Sequence, residues 1–297
     1  MTFDPDARID GGKVRRRGRT AGVAGGGISL AAVAVFLIAQ FTGVDLSGLV
    51  GGGSGTGGGA QPVAEEQLDQ CDTGADANAD IECRMAGAAT SLDVYWEREA
   101  PTLGVGDYVT PDFFLFTAST STGCGGATSA TGPFYCPPDQ ALYVDTDFFD
   151  QLRQQYGATA GPLAQLYVVG HEWGHHVQQL TGAFARADRS GTGPTSDSVR
   201  LEVQADCYAG AWLGAASSIQ DVEGVTFLEP VTDAQITDAL NAAATVGDDR
   251  IQQASGGDVD SDSWTHGSAE QRQRWFTQGF EQGATACDTF AVPGEQL

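Results

Sequence analysis

The sequence predicts an α+β domain that follows a single N-terminal transmembrane helix. Three observations favour this class. An uncharged and largely apolar run separates Arg19 from Asp45. Two segments rich in aromatic and β-branched residues, 112–120 and 140–149, then precede a series of segments with helical periodicity. Strands that come before a run of helices are typical of a small antiparallel or mixed sheet with helices packed on it, rather than of a doubly wound sheet.

The N-terminal residues predict the membrane topology. Residues 1–20 carry six basic and three acidic side chains, and the run after them has the apolar centre ISLAAVAVFLIAQF. With its flanks this run is long enough to span a bilayer, so we predict a transmembrane anchor over 21–45. The positive-inside tendency then places residues 1–20 in the cytoplasm and the rest of a single-pass cell-membrane protein outside it. A cleaved signal peptide is the alternative, but the small-x-small site Ala32-Val33-Ala34 lies in mid-span.

The remaining chain divides into a linker and one domain. The stretch GLVGGGSGTGGGAQP predicts a flexible linker over 46–62, so the extracytoplasmic domain covers 63–297. The whole chain of 297 residues has a net charge of −24, and its acidic residues are concentrated in this domain. Such a surface repels phosphates, which argues against a nucleic-acid partner.

Six cysteines lie in the predicted domain and none precedes it. An even number of cysteines outside the cytoplasm predicts disulfides. Two pairs are close in sequence, Cys71 with Cys83 and Cys124 with Cys136, which leaves Cys207 with Cys287. The alternative is a set of buried free thiols.

The elements of the domain follow from local patterns. Helical spacing with a proline after it predicts a helix over 79–101, and the two strands over 112–120 and 140–149 enclose a glycine-rich loop. A short helix over 148–158 and a helix opened by Gly161-Pro162 come next. After a polar loop, further helices are predicted over 198–217, 232–247 and 268–283, the second of them by the capping-box spacing of Thr232 and Gln235.

The helix opened by Gly161-Pro162 carries the pattern that points to chemistry. Its segment YVVGHEWGHHVQQLTG holds three of the four histidines of the chain. On a helix His171 and His175 lie one turn apart on one face, so both imidazoles can bind one Zn²⁺ while Glu172 polarises the water of the metal. The alternative is a polar helix face whose histidines bind nothing.

A catalytic zinc needs a third protein ligand and one open position. Glu202 and Asp206 lie one turn apart on the next long helix. If the two helices pack antiparallel, Glu202 completes a two-histidine, one-glutamate set, and Asp206 accepts the outer N–H of a ligating histidine. A solvated acidic face is the alternative reading, but the neighbouring residues are mostly apolar, and buried carboxylates need a partner.

These motifs resemble those of the YpfJ-type putative neutral zinc metallopeptidases, a family of membrane-anchored proteins with a zincin active-site helix. The resemblance is carried by GVDLSGLVGGG, GPFYCPPDQALYVD, GHEWGHHVQ, LEVQADCYAGAW, GDDRIQ and THGSAEQRQRWF, which together span most of the chain. It implies a zincin-like domain, a Zn²⁺ cofactor and peptide or protein substrates.

A more distant similarity extends the set of site residues. An E-x-x-x-D motif after H-E-x-x-H is similar to the gluzincin peptidases, including the HtpX-like membrane proteases, which implies Glu202 as a ligand and Asp206 in support. The late element of the HtpX-like enzymes resembles THGSAEQR, with His266 and Arg272 at matching positions and Gly267 in place of a proline.

The predicted mechanism is peptide hydrolysis with Glu172 as general base and His266 as donor to the oxyanion. His266 as a hydrogen-bonded helix-start residue, and Arg272 as the partner of an acid, are the structural alternatives. The strand ALYVD, residues 141–145, resembles the sheet edge that receives substrate in zincins.

Two other functions compete with this one. Cys207 as third ligand would resemble a deformylase-like hydrolase. A proteolytically inactive membrane-tethered scaffold would keep zinc for structure alone, although such a site has no use for Glu172.

Overall fold

The computed structural model describes residues 2–18, 65–156, 160–254, 256 and 258–297. In this part of the chain five strands form a mixed sheet in the order β2-β1-β3-β7-β6, and two more form a hairpin, β4-β5. The strands are β1 (Arg15–Arg17), β2 (Glu65–Gln67), β3 (Asp112–Phe116), β4 (Ser119–Thr122), β5 (Gly125–Thr128), β6 (Phe134–Cys136) and β7 (Ala141–Asp145). Strand β3 runs parallel to both of its neighbours, whereas β2 and β6 pair antiparallel at the two edges.

The described residues also form nine α-helices. They are α1 (Gly74–Ala79), α2 (Ile81–Glu99), α3 (Phe148–Tyr156), α4 (Pro162–Leu180), α5 (Ala183–Arg186), α6 (Asp197–Ala215), α7 (Asp233–Thr245), α8 (Asp248–Ala254) and α9 (Ala269–Gln282). The predicted capping box of Thr232 and Gln235 is confirmed at the start of α7. The segment predicted as one strand over 112–120 is two strands, because the chain turns at Ala118 with a φ of 66°.

The main core lies between the sheet and the helices. Side chains of β3 alternate between its two faces, as the period of a strand requires. Phe113 and Leu115 join the main core, whereas Phe114 and Phe116 pack on the other face beneath the β4-β5 hairpin. The helices that carry the candidate site therefore rest on a buried apolar layer.

Helices α4 and α6 pack antiparallel at close range. Their contacts run in opposite directions along the two sequences, since Gly174 lies against Ala205 and Gly170 against Ala209 and Trp212. A Cβ added at Gly174 would lie 3.0 Å from the backbone of Ala205, so a larger residue here would push the two helices apart by a few tenths of an ångström. One turn of each helix, 171–175 and 202–206, is thereby brought face to face.

Helix α9 packs equally closely on the other side of α6. A Cβ added at Gly210 would overlap the backbone of Phe276, and one added at Gly279 would overlap the backbone of Cys207. The disulfide between Cys207 and Cys287 ties α6 to the chain after α9. The other two predicted pairs, Cys71–Cys83 and Cys124–Cys136, are also present, so the predicted pairing is confirmed.

The N-terminal residues belong to this domain, against the predicted topology. Strand β1 lies inside the sheet between β2 and β3, and Phe3 is fully buried in the main core. Arg16 forms ion pairs with Glu66 and Glu82. A segment on one side of a membrane cannot pair with strands on the other, so the predicted cytoplasmic N-terminus with an extracytoplasmic catalytic domain is wrong.

The fold class must be corrected in the same respect. The described residues form an α+β fold with a mixed sheet, but none of their helices combines the length and the apolar character that a bilayer crossing needs. The predicted transmembrane helix over 21–45 and the predicted linker over 46–62 lie outside the described residues. We therefore do not retain the single-pass membrane anchor, which rested on the apolar composition of one run and on the basic residues before it.

Candidate metal centre

The structure brings all seven predicted site residues into one region, and three of them converge on one point. Ligand-capable atoms of His171, His175 and Glu202 lie within 4.8 Å of one another, and all three residues are buried. The distance between His171 Nε2 and Glu202 Oε2 is 3.4 Å, and that between His175 Nε2 and Glu202 Oε1 is 3.6 Å. Ligands about 2.0–2.1 Å from a tetrahedral zinc lie about 3.3 Å from one another, so this group fits the predicted zinc.

The hydrogen bonding of Glu202 also supports a metal ion at this site. Its Oε1 is buried and has no hydrogen-bond partner among the described residues. A buried carboxylate oxygen without a partner is costly unless a cation satisfies it. Burial opposes ionisation of Glu202, but the nearby histidines outweigh it and hold the pKa of its carboxyl well below the usual range. Glu202 therefore offers a charged oxygen at the point where the two imidazoles meet.

Both candidate histidine ligands are oriented through their Nδ1 atoms. His171 Nδ1 lies 2.8 Å from Asp206 Oδ1, and His175 Nδ1 lies 2.8 Å from Gln178 Oε1. With Nδ1–H as donor in each case, Nε2 carries the free lone pair that a metal requires. The amide of Gln178 is itself fixed, because its nitrogen donates to the carbonyl of Leu201.

Asp206 is the centre of a buried charged network. Its two oxygens accept from Arg272 Nε at 2.8 Å and Arg272 Nη2 at 2.9 Å, and Oδ1 also accepts from the Tyr167 hydroxyl at 2.5 Å. Asp206 is 0% exposed and Arg272 is 3% exposed. Burial opposes ionisation of Asp206, but Arg272 and His171 outweigh it and lower the pKa of Asp206. A charged Arg272 thus holds the carboxylate that orients His171.

In the metal-free chain, the charges around the two histidines favour binding of a cation, either a proton or a metal ion. Burial opposes protonation of His171, but Asp206 and Glu202 outweigh it and raise the pKa of His171 to about 10. Burial lowers the pKa of His175 to about 4, so this imidazole is neutral at pH 7. Two carboxylates around two imidazoles form an environment that stabilises a cation.

Glu172 lies beside the metal group in the same cleft. Burial raises the pKa of its carboxyl to about 7, against the opposing charge of His171 and a hydrogen bond from the Tyr135 backbone N–H. A carboxyl with a pKa near neutrality can both accept and release a proton at pH 7.

His266 lines the cleft from the loop before α9. Its Nδ1 lies 3.1 Å from Asp248 Oδ1, and the second oxygen of Asp248 accepts the backbone N–H groups of Thr265, His266 and Gly267. Its Nε2 is buried without a hydrogen-bond partner among the described residues. Gly267 adopts a φ of 85°, a left-handed conformation that favours glycine over other residues.

Two other residues with side chains that can bind a metal, His176 and Cys207, lie away from the metal group. His176 is fully buried between the Tyr135 hydroxyl, 3.0 Å from its Nδ1, and the carbonyl of Val109, 2.6 Å from its Nε2. Cys207 is oxidised in the disulfide with Cys287, so its sulfur is not a free thiolate. The deformylase-like alternative with a cysteine ligand is therefore excluded.

The cleft wall corrects the prediction about the substrate edge. The strand ALYVD is β7, which has neighbours on both sides, and the edge strand next to it is β6. Three residues flanked by Pro133 and Pro137 do not read as a strand in the sequence, because proline is confined to strand ends and edges. Phe134 and Tyr135 of this short strand line the cleft.

Four residues that matter here were absent from the predicted site. Tyr167 and Gln178 lie on α4 one turn from a candidate ligand, so helical spacing could have singled them out. Asp248 lies in the GDDRIQ motif, but its contact with His266 depends on a turn far along the chain. The backbone N–H of Tyr135 lowers the pKa of Glu172, and such a backbone effect leaves no signal in residue type.

Comparisons with known proteins match most of the chain. The family model described as putative neutral zinc metallopeptidase covers residues 5–290. The uncharacterized protein Rv2575 of Mycobacterium tuberculosis is 50% identical over 227 residues, which are 76% of this chain and 76% of that protein. The uncharacterized protein YpfJ of Escherichia coli is 39% identical over 264 residues, or 86% of this chain and 84% of that protein. No solved structure matches the chain.

Proposed function

The chain belongs to the family of putative neutral zinc metallopeptidases, and on this premise we propose that it is a zinc-dependent peptidase of gluzincin type. The observation that carries the proposal is the convergence of His171, His175 and Glu202 within 4.8 Å, with Glu172 beside them in an open cleft. A purely structural zinc site is closed by four protein ligands. Three ligands and an adjacent carboxylate are the composition of a hydrolytic site.

The residues of the chain divide the chemistry among them. Zinc is the metal of this family, and when bound by the three-residue group it supplies Lewis-acid activation of water and of the scissile carbonyl. Glu172 is the general base, which takes the proton of the attacking water and passes it to the leaving amine. Asp206 and Arg272 are positioning residues, because they hold His171 with Nε2 toward the metal.

His266 is the proposed donor to the carbonyl oxygen of the substrate as negative charge develops there. Burial opposes its protonation, but the hydrogen bond to Asp248 outweighs this effect and raises the pKa of His266. A protonated ring bonded to Asp248 through Nδ1 can still donate from Nε2, which has no partner among the described residues. Its place in the cleft wall supports this role.

The cleft favours an extended peptide with apolar side chains. Its wall contains the edge strand β6 and a group of apolar residues, namely Phe148, Val168, Phe184, Val246 and Ile251. The edge of a sheet can pair with the backbone of an extended segment, while the apolar wall takes up alternate side chains. We therefore propose peptides or proteins as substrates, with apolar residues near the scissile bond.

A peptide-library digest tests the proposal directly. The purified chain loaded with one equivalent of zinc should cleave a subset of peptides, identified by mass spectrometry. Removal of the metal with a chelator should abolish cleavage, and stoichiometric zinc should restore it, because hydrolysis needs the Lewis acid. If zinc stays bound and no peptide is cut, the peptidase assignment is wrong, and a zinc-binding scaffold becomes the better account.

Metal content tests the ligand assignment independently of activity. The Glu202→Ala variant should retain far less than one zinc per chain after dialysis, measured by metal analysis. In this variant only two imidazoles would remain to bind the ion, which is too few for tight binding. The Glu223→Ala variant, which removes an exposed carboxylate, is the control and should bind zinc like the wild type. Full zinc occupancy in Glu202→Ala would show that another group is the third ligand.

A further inference from the structure

One cation in the cleft wall has no part in the proposed chemistry. Arg189 lies in the loop between α5 and α6 and lines the cleft, half-buried. Its Cζ is 5.6 Å from the ring centroid of Phe184, and that ring lies 6.0 Å from the ring of His175. The guanidinium is therefore held near the metal group by an aromatic side chain of the cleft.

Arg189 has no acidic partner among the described residues, and the same is true of Arg84, Arg98, Arg186, Arg200 and Arg250. Of these six arginines, Arg189 is the one that lines the cleft. Among the described residues, the structure gives the Arg189 guanidinium no ion pair and no hydrogen bond. The neighbouring carboxylate of Asp188 accepts from the backbone and hydroxyl of Ser190 instead.

The other arginine of the cleft cannot serve a ligand in the same way. Arg272 donates to both oxygens of Asp206, to the Tyr167 hydroxyl and to the carbonyl of Val246. Its donors are thus used within the protein, and its side chain is 3% exposed. In the described wall of the cleft, Arg189 is the guanidinium that remains able to bind an anion.

We infer that Arg189 is a specificity-determining residue that binds a carboxylate of the substrate. This inference rests on the proposed peptidase function and adds to it a substrate class, peptides with a carboxylate close to the scissile bond. The distances from Arg189 to the Phe184 ring and from that ring to His175 set an upper limit on the separation of Arg189 from His175. An extended peptide covers about 3.3–3.6 Å per residue, so about three residues of substrate span this separation. The carboxylate belongs to an acidic side chain or to the C-terminus of the peptide, and it pairs with the planar guanidinium through two N–H groups.

Matched peptides separate these two sources. The starting sequence is one that the library digest shows to be cut, prepared with both termini blocked and neutral residues only. The second peptide carries one glutamate within three residues of the scissile bond, and the third is the neutral sequence with a free C-terminal carboxylate. We expect kcat/KM for one of the two carboxylate peptides to exceed that of the neutral peptide about 5- to 10-fold, as a partly exposed charge-assisted pair allows.

Variants assign the preference to Arg189. In Arg189→Gln the ratio of carboxylate to neutral peptide should fall toward one, and in Arg189→Glu a lysine peptide should become preferred over the glutamate peptide. Arg98→Gln, which removes an exposed positive charge on α2, should keep the wild-type ratio. Added salt should also lower the wild-type ratio, because the pair is accessible to solvent. Equal kcat/KM for all peptides, or a preference that Arg189→Gln leaves intact, would overturn the inference.

A binding measurement keeps this test separate from that of the peptidase function. Zinc-loaded Glu172→Gln, with and without Arg189→Gln, is titrated with fluorescein-labelled apolar hexapeptides that differ by one glutamate or by a free C-terminus. Fluorescence anisotropy should show tighter binding of a carboxylate peptide only when Arg189 is present. If the wild type cuts no peptide, the peptidase proposal fails. The difference in binding affinity between carboxylate and neutral peptides then decides by itself whether Arg189 binds a carboxylate.

Discussion

Replacing Glu172 with glutamine should lower kcat about 10²- to 10⁴-fold, the range that general acid–base catalysis contributes. The variant keeps the size and hydrogen-bonding shape of the side chain but cannot accept a proton. Because Glu172 is not one of the three residues proposed to bind the metal, zinc should stay at one per chain. KM should change little, since the apolar cleft wall and Arg189 are untouched. Cleavage kinetics and metal analysis on the same preparation measure both quantities.

A control variant and the zinc content of Glu172→Gln decide whether Glu172 is the general base. Glu270→Gln removes an exposed carboxylate of α9 and should leave kcat unchanged. If Glu172→Gln loses zinc together with activity, then Glu172 assembles the metal site rather than moving a proton. If it keeps both zinc and more than about a tenth of the wild-type kcat, another group is the base, because loss of a true general base costs at least about 10²-fold.

The metal group could be predicted from sequence because its geometry is local. His171 and His175 are one helical turn apart, and Glu202 and Asp206 repeat that spacing on the next long helix. The 3.6-residue period fixes which side chains share a face, so only the antiparallel contact of the two helices remained to be assumed. The glycine at position 174 makes that contact close enough for all four side chains to meet.

The errors concern contacts between distant parts of the chain. Strand β1 pairs with residues 65–67 and 114–115, and this register depends on partners that no local pattern indicates. The arginines of β1 read as a membrane-topology signal because their carboxylate partners, such as Glu65 and Glu82, are far away in sequence. The edge strand β6 was missed for a related reason, since its pairing with β7 makes it a strand.

Replacing Asp206 with alanine should destabilise the fold by about 3–5 kcal/mol, the usual cost of leaving one member of a buried ion pair without its partner. Arg272 would then lie in the core with a full charge, and its nearest remaining acceptors would be the Tyr167 hydroxyl, the carbonyl of Val246 and His171 Nδ1. The same change removes the oxygen that orients His171, so zinc affinity should fall about 10- to 100-fold. Denaturant unfolding of the metal-free, disulfide-intact protein measures the first effect, and zinc titration of the folded protein measures the second.

The double variant Asp206→Ala with Arg272→Met distinguishes a stranded charge from lost packing. Removing both charges leaves no uncompensated guanidinium, so the double variant should be more stable than Asp206→Ala alone, with a coupling free energy of about 1–3 kcal/mol. Glu270→Ala breaks the exposed pair with Arg274 on the same helix, and this control should cost about 0.5 kcal/mol or less. Independent, additive losses in the double variant would refute the stranded-charge explanation.

The loss of unfolding free energy in Asp206→Ala, measured without metal, is a lower bound on the loss in the zinc-bound protein. Arg272 Nη1 lies 3.9 Å from Glu202 Oε2, so without zinc the carboxylate of Glu202 can partly replace the one that was removed. At the proposed site Glu202 would be a ligand of bound zinc, and its carboxylate would then no longer be available to Arg272. We therefore expect Asp206→Ala to lose more stability relative to wild type when both proteins are saturated with zinc than when both are metal-free. The opposite order would mean that Arg272 is held mainly by groups outside the metal site.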